Sequence, residues 1–450
     1  MTGDTNEQGA LWSVAAALLF FLSSCAGGSE FYREVDVQVA GGNHLKAVEA
    51  VRNNQYAYGD NGSVLFDLDL GLLYHYAGMP DSSNAHFFAA EKQIQELYTQ
   101  SISLAALSTV TNDYVLPYDG EDFEKVLVNV FLALNYVEKA EPDEALVEAR
   151  KVDLKLRQYG RDYQGKNRYQ DDAFIRYIAG ALYESAGEIN DAFISYRKAF
   201  EAYTTYAKEY ATPAPSFLLD DLVRTATLLS FGEEAATYAD LGGRRYEKSG
   251  EQQGSILVIV YSGKGPLKEE VRTTVSIPDT AGTVHTFQLA LPRFVPRRIP
   301  IRGYDVTAQR QGEDDGAETS VHAELAEDVT AIAGKALEDR LAFIYLKSGG
   351  RALMKFLAAE KAKAELKKKN NEVANLLGSI AVDLAVAVTE RADLRGWRTL
   401  PGEFQLARLN LLPGEYRLRI EAADGGKIIP GRPVTVKRGA TSFVIIDDVR

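Results

Sequence analysis

Apolar positions recur along this chain with two periods, and the change from one to the other divides it. From about residue 44 to 245 they fall at helical spacing, broken by short turns, which predicts antiparallel helix pairs. One pair reads Leu70-Gly71-Leu72-Leu73-Tyr74, a Gly78-Met79-Pro80-Asp81 turn, then Phe87 and Ala90. A second reads Leu132-Ala133-Leu134-Asn135-Tyr136, then Glu141-Pro142-Asp143, then Ala145 and Ala149. A third runs through Gly180 and Tyr183, turns at Gly187-Glu188, and returns through Ala192, Tyr196 and Ala199. Asp220–Ala239 has the pattern of one more pair. Small residues let two helices approach closely, and aromatics fill the space between neighbouring pairs. Tyr74 and Tyr183 are therefore expected in the core.

Near residue 250 the period shortens. Ser255–Tyr261 is a β-branched run bounded by glycines, a buried strand, and Val271–Ile277 and His285–Leu291 predict two more. Pro292, Pro296 and Pro300 alternate with Arg293, Arg297, Arg298 and Arg302, which confines that segment to an edge strand or a connector. Gln311–Thr319 reads as a loop. From Ala323 to about Asp393 the chain is helical again, with Val329, Ile332, Ala333, Ala336 and Leu337 on one face. Lys355, Lys361, Lys363 and Lys367 to Lys369 mark a solvated face, or one turned to anionic headgroups. Asn375–Val388 is apolar but short and interrupted by Asp383, so it predicts a buried helix and no membrane span. Ala407–Leu411 with Tyr416–Glu421, and Val434–Lys437 with Thr441–Ile446, predict two hairpins.

The fold class that follows is mainly α. A helical-repeat solenoid over 43–248 precedes an α+β domain over 254–450. In the second, strands within about 255–305 and 405–447 share one sheet of a small β-sandwich-like module, with a helical insertion over about 323–393.

Order and spacing in the first half resemble the tetratricopeptide repeat (TPR). The usual Trp of the first helix is replaced by Arg176 in the third unit, and segments such as Ser101–Tyr118 lengthen the period beyond that of the motif. Stacked helix pairs of that kind form a groove that binds peptides or partner proteins.

The N-terminus adds a location. Leu11–Leu22 is an apolar run of the length of a signal-peptide core and too short to span a bilayer. Leu22-Ser23-Ser24-Cys25 resembles the bacterial lipobox, which implies a signal peptide over 1–24, lipid attachment at Cys25 and a flexible tether over 25–42. Ala26, after the cysteine, implies transfer to the outer membrane, on its periplasmic side. The leader Met1–Ala10 carries Asp4 and Glu7 but no Lys or Arg, a departure from the usual signal.

Four stretches resemble, in their order, an uncharacterised family of bacterial envelope lipoproteins with TPR-like repeats: Glu124–Leu127, Ala133–Tyr136, Ala145–Lys151 and Ala392–Pro401 (Ala-Asp-Leu-Arg-Gly-Trp-Arg-Thr-Leu-Pro). The resemblance implies an envelope location and a two-part layout. It implies no activity and brings no catalytic residues.

Charge and candidate chemistry narrow the rest. A formal net charge of -13 over 450 residues gives no attraction to phosphate backbones, which excludes nucleic acid as an expected partner. Cys25 is the single cysteine, so neither an internal disulfide nor a cysteine-based zinc site can form. His75 and His86 lack a carboxylate motif that would complete a metal site. Gly263-Lys264-Gly265 lacks the later glycine of a phosphate loop and reads as a hairpin turn. Ser195-Tyr196-Arg197-Lys198 fits Ser-x-x-Lys but lies inside a repeat helix without a Lys-Thr-Gly partner. Asp171-Asp172 and Asp220-Asp221 are adjacent, so in a helix they do not share a face.

No catalytic, cofactor or metal residue is therefore expected, and no cofactor. The expected function is a non-enzymatic scaffold or adaptor, anchored through Cys25, whose helical groove holds an envelope protein or peptide. The alternatives are a regulator of a cell-wall synthase or secretion apparatus, and an envelope hydrolase or transferase whose residues converge only in three dimensions.

Overall fold

The computed structural model describes residues 26–110, 116–162, 171–246, 253–278, 284–299, 301, 303–312, 318–367, 391–424 and 428–449. Its first half begins with α1 (Ala26–Ala40) and α2 (His44–Asn53). Helix hairpins follow: α3 (Ser63–Tyr76) with α4 (Pro80–Val110), α5 (Asp122–Glu138) with α6 (Pro142–Asp162), α7 (Ala173–Ser185) with α8 (Ile189–Glu209), and α9 (Phe217–Leu228) with α10 (Gly232–Asp240). The span 25–42, expected as a tether, is therefore largely helix. Phe31, Val35 and Val39 recur every fourth residue and bury a stripe that holds α1 to the body.

The hairpins share one turn. Met79, Glu141, Glu188 and Phe231 each donate a backbone N–H to the carbonyl five residues back, on Tyr74, Tyr136, Tyr183 and Ala226, at 2.8 to 3.0 Å. The residue before each donor is left-handed: Gly78 (φ 64°), Ala140 (57°), Gly187 (78°) and Ser230 (62°). This is the Schellman ending, which satisfies the last free carbonyls of the helix while reversing the chain. Close packing behind the turn also repeats. A Cβ on Gly71 would stand 2.6 Å from the Phe87 ring, and one on Gly180 2.6 Å from the Tyr196 ring. Small residue and aromatic face each other across the same hairpin, whereas the sequence pattern places the aromatics between neighbouring pairs.

In the second half the strands are β1 (Gly254–Lys264), β2 (Leu267–Pro278), β3 (Val284–Val295), β4 (Tyr304–Arg310), β5 (Glu318–His322), β6 (Glu324–Asp328), β7 (Pro401–Leu411), β8 (Gly414–Ala422), β9 (Ile428–Val436) and β10 (Thr441–Asp448). They do not share one sheet. One sheet has the order β10-β1-β7-β6, a second β5-β4-β8-β9, and β2 and β3 form a separate ribbon. Helix α11 (Val329–Lys367) packs Ala352 and Ile344 against Leu289 and Leu291 of that ribbon.

The first sheet is the middle layer, because both of its faces are buried. Ile256, Val258 and Val260 of β1, with Ala407 and Leu409 of β7, meet Tyr304, Val306, Leu418 and Ile420 of the second sheet. The alternate residues Leu257, Ile259, Tyr261, Phe404 and Leu406 belong to the core of the helix hairpins. A strand covered on both sides reads as an unbroken apolar run, which is why Ser255–Tyr261 looks as it does.

Both expected hairpins are corrected by this layering. β7 pairs with β1 and β6, while β8 pairs with β4 and β9, so Leu412-Pro413 carries the chain between sheets. β9 pairs with β8, and β10 runs parallel to β1, so the turn around Gly439 crosses between sheets as well. Gly263-Lys264-Gly265 likewise links β1 to a strand of the ribbon and closes no hairpin. The segment Glu324–Asp328, expected at the start of a helix, is an edge strand on β7; the helix begins at Val329, where Asp328 accepts the Ala331 N–H at 2.9 Å. Pro292 lies in the ribbon opposite Glu270, an edge position that tolerates proline.

Candidate functional site

The sheet meets the hairpins at Arg408, whose position on β7 puts it on the same side as Phe404 and Leu406. Its guanidinium reaches the Glu184 carboxylate of α7 at 2.8 Å and Asp221 of α9 at 3.0 Å. Arg224 bonds the same two acids, at 2.8 Å to Glu184 and 2.7 Å to Asp221. The Tyr177 hydroxyl donates to Asp221 at 2.8 Å and that of Tyr196 to Glu184 at 2.7 Å. Two guanidinium groups thus balance two carboxylates beneath the sheet. Burial alone would raise the Glu184 carboxyl, but Arg224 and Arg408 hold it down at about 2.

Above this quartet lies a cleft of about 460 Å³ between the last hairpin and the ends of β1, β7 and β10. Arg408 and Glu184 form its floor, with Arg224, Arg244 and Arg245 around it and Leu228 and Ile189 as apolar wall. Arg244 is held by Asp220 at 2.6 Å. With Asp221 beneath the floor counted, four guanidinium groups stand against three carboxylates, so the cleft suits a single anionic group attached to a short apolar stretch.

One side of the helix hairpins is covered by the chain's own sheet. His75 of α3 bonds the Tyr261 hydroxyl of β1 at 3.0 Å, the Phe174 and Phe404 rings stack at 4.6 Å, and Tyr203 donates to the Ala326 carbonyl at 3.0 Å. The strap Ala392–Pro401 closes the remainder. Trp397 donates its backbone N–H to Glu124 at 2.8 Å, Thr399 its hydroxyl to Asp69 at 2.8 Å, and Arg395 reaches the Asn61 and Leu116 carbonyls. Asn135 bonds His75, Ser83 and Asn84, whereas Glu124 and this strap, quoted from separate stretches of sequence, belong to one clamp. Asp69 within it, buried beneath Tyr58 and Thr399, has its carboxyl pushed up by that burial to about 6.

The remaining candidates fall apart spatially. His75 is enclosed between Asn135 and Tyr261, whereas His86 pairs with Asp67 at 2.8 Å and stacks on Tyr74. Among the described residues no cluster of His, Cys, Asp or Glu could hold a metal ion. Asp172 caps α7 through the Ile175 N–H at 2.8 Å while Asp171 pairs with Arg176 at 2.6 Å, so adjacent acids do serve different partners. Asp220 and Asp221 divide in the same way, toward Arg244 and Arg408. Ser195 is buried inside α8. Tyr74 and Tyr183 are buried, as expected. Arg297, of the proline-arginine segment, is a strut to Asp36 of α1 at 3.0 Å and to the Gly265 and Arg398 carbonyls. Cys25 and the apolar run before it lie outside the described residues.

Sequence reasoning missed Arg408. One signal was present, an arginine at period two after the apolar Phe404 and Leu406. Its acids are far away in the chain and carry no local mark.

No family model matches the chain, and no curated protein matches it. Among solved structures, the protein titled MamA AMB-1 aligns with 48% of this chain and 93% of its own, at 16% identity and a TM-score of 0.29. At that score the likeness decides nothing about this chain.

Proposed function

We propose that this protein is a non-enzymatic scaffold of the bacterial cell envelope, anchored through Cys25 and built on TPR-like hairpins, and that it holds a partner segment in the cleft over Arg408. The observation that carries the reading is the balance of this site. The charges of the floor are neutralised by one another, as in a structural joint, and Asp220 offsets Arg244 at the opening, which leaves Arg245 as the net charge of the lining beside Leu228 and Ile189. Such a site suits a carboxylate-bearing peptide segment. Support for the anchor is the apolar run Leu11–Leu22 followed by Ser23-Ser24-Cys25. The repeated Schellman turns and the Gly71/Phe87 and Gly180/Tyr196 contacts support the TPR-like reading.

The test is photocrosslinking in cells from position 228 in the cleft, with position 56, exposed on the far-off turn before α3, as control. A discrete adduct from 228 alone, weakened by Arg245→Glu, is the expected result. Equal adducts from both positions, or none from 228, would overturn the cleft. The anchor is tested apart: a fatty-acid probe should label the wild type and not Cys25→Ser.

A further inference from the structure

Helix α11 packs one side against the ribbon, and on the other it exposes large apolar residues among those described. Phe343, Leu346, Met354 and Leu357 are 67%, 79%, 68% and 48% exposed. Their spacing of three, eight and three residues places them on one stripe, with Gly350 at the intermediate turn. Single exposed apolar residues need no explanation, but a row of four large ones along two helical repeats does. From Leu341 to Ala359 the sequence contains Lys347, Arg351 and Lys355 and no carboxylate.

The stripe adjoins a second cleft, of about 310 Å³, between α11, the ribbon and the segment before α5. Lys268, Arg340, Lys347, Arg351, Arg391 and Arg395 line it, against three carboxylates, so its charge is opposite to that of the whole chain at -13. Glu121 bonds both Lys268 at 2.5 Å and Arg340 at 2.8 Å. Phe343 belongs to both the cleft and the stripe.

We infer that this face of α11 docks on an anionic lipid surface, with Phe343, Leu346, Met354 and Leu357 entering the acyl boundary and the basic cleft receiving phosphate headgroups. An apolar ridge flanked by cations is the chemistry of an interfacial helix. Self-pairing of two such helices would bring like charges together, which disfavours a second copy as occupant. The residues are remote in sequence from Cys25 and from the Arg408 cleft, so neither reading is needed for this one.

Cys25 is the only cysteine, which permits a single reporter. The full chain carrying Cys25→Ser and Met354→Cys is labelled with an environment-sensitive dye and mixed with vesicles of phosphatidylcholine, alone or with phosphatidylglycerol. A blue shift with the anionic vesicles only, reversed by salt and unaffected by inorganic phosphate, is the expected result. Phe343→Ser with Leu346→Ser, both largely exposed, should weaken vesicle affinity about tenfold. Lys347→Glu with Arg391→Glu should do the same by charge. No shift with anionic vesicles overturns the inference. So does a shift that appears without vesicles and grows with protein concentration, the mark of self-association.

Discussion

The Nε2 atom of His75 accepts a hydrogen bond from the Tyr261 hydroxyl at 3.0 Å, joining α3 of the first hairpin to the central strand β1 across 186 residues. Its Nδ1–H donates to the Asn135 side-chain oxygen at 2.6 Å, whose own amide donates to Ser83 and Asn84. The imidazole is thus held neutral in one tautomer by groups from α3, α4, α5 and β1. Burial lowers it from the ordinary 6.5 to about 4.

Folding stability from this histidine is complete above about pH 6.5 and is lost as the pH falls toward 4, by up to about 3 kcal/mol. His75→Gln should be less stable than wild type at neutral pH and should flatten that acid dependence. Urea unfolding followed by Trp397 fluorescence in a Trp12→Phe background measures both. An unchanged slope in the variant would refute the assignment.

Arg408→Ala leaves Glu184 and Asp221 facing Arg224 alone beneath the sheet. A loss of about 3 to 5 kcal/mol is expected, because an uncompensated buried charge remains. Adding Glu184→Gln should recover part of it, the sign of direct coupling. Arg244→Ala, which removes a guanidinium 79% exposed, should cost under about 1 kcal/mol. Denaturant midpoints distinguish the three.

Glu327 of β6 is fully buried, and burial together with the neighbouring Asp172 carboxylate pushes its carboxyl well above the ordinary range. The protonated form is favoured in the fold, so stability is lost as the pH rises from about 4.5 toward the raised value. Glu327→Gln should therefore stabilise by at least about 1 kcal/mol at pH 8 and by much less at pH 4. Equal gains at both values would show that packing, and not the charge, is what the variant changes.

Ala140 occupies the left-handed position that Gly78 and Gly187 fill in the neighbouring hairpins. Ala140→Gly should stabilise by about 1 kcal/mol and Gly187→Ala should cost a similar amount, since a Cβ is disfavoured there. Thermal melts of the two variants should move in opposite directions.

What the sequence by itself determined is local. Helix hairpins show because their period, turns and facing Gly71/Phe87 or Gly180/Tyr196 pairs lie within a few turns of one another, and Asp220–Ala239 resolves as α9 and α10 on the same grounds. The central strand was legible because burial on both faces leaves an unbroken run. Only the tertiary structure decided which strands pair. Alternating residues around Leu412-Pro413 serve equally well in a hairpin and in a crossing between two sheets, and the choice falls to partners such as Val258 and Val306, distant in sequence. The same holds for Arg408, whose acids stand 187 and 224 residues away, and for the helix face that the sheet covers. Period and turn chemistry act over a few residues; the burial of a charge or the covering of a face is settled by whichever distant segment packs there.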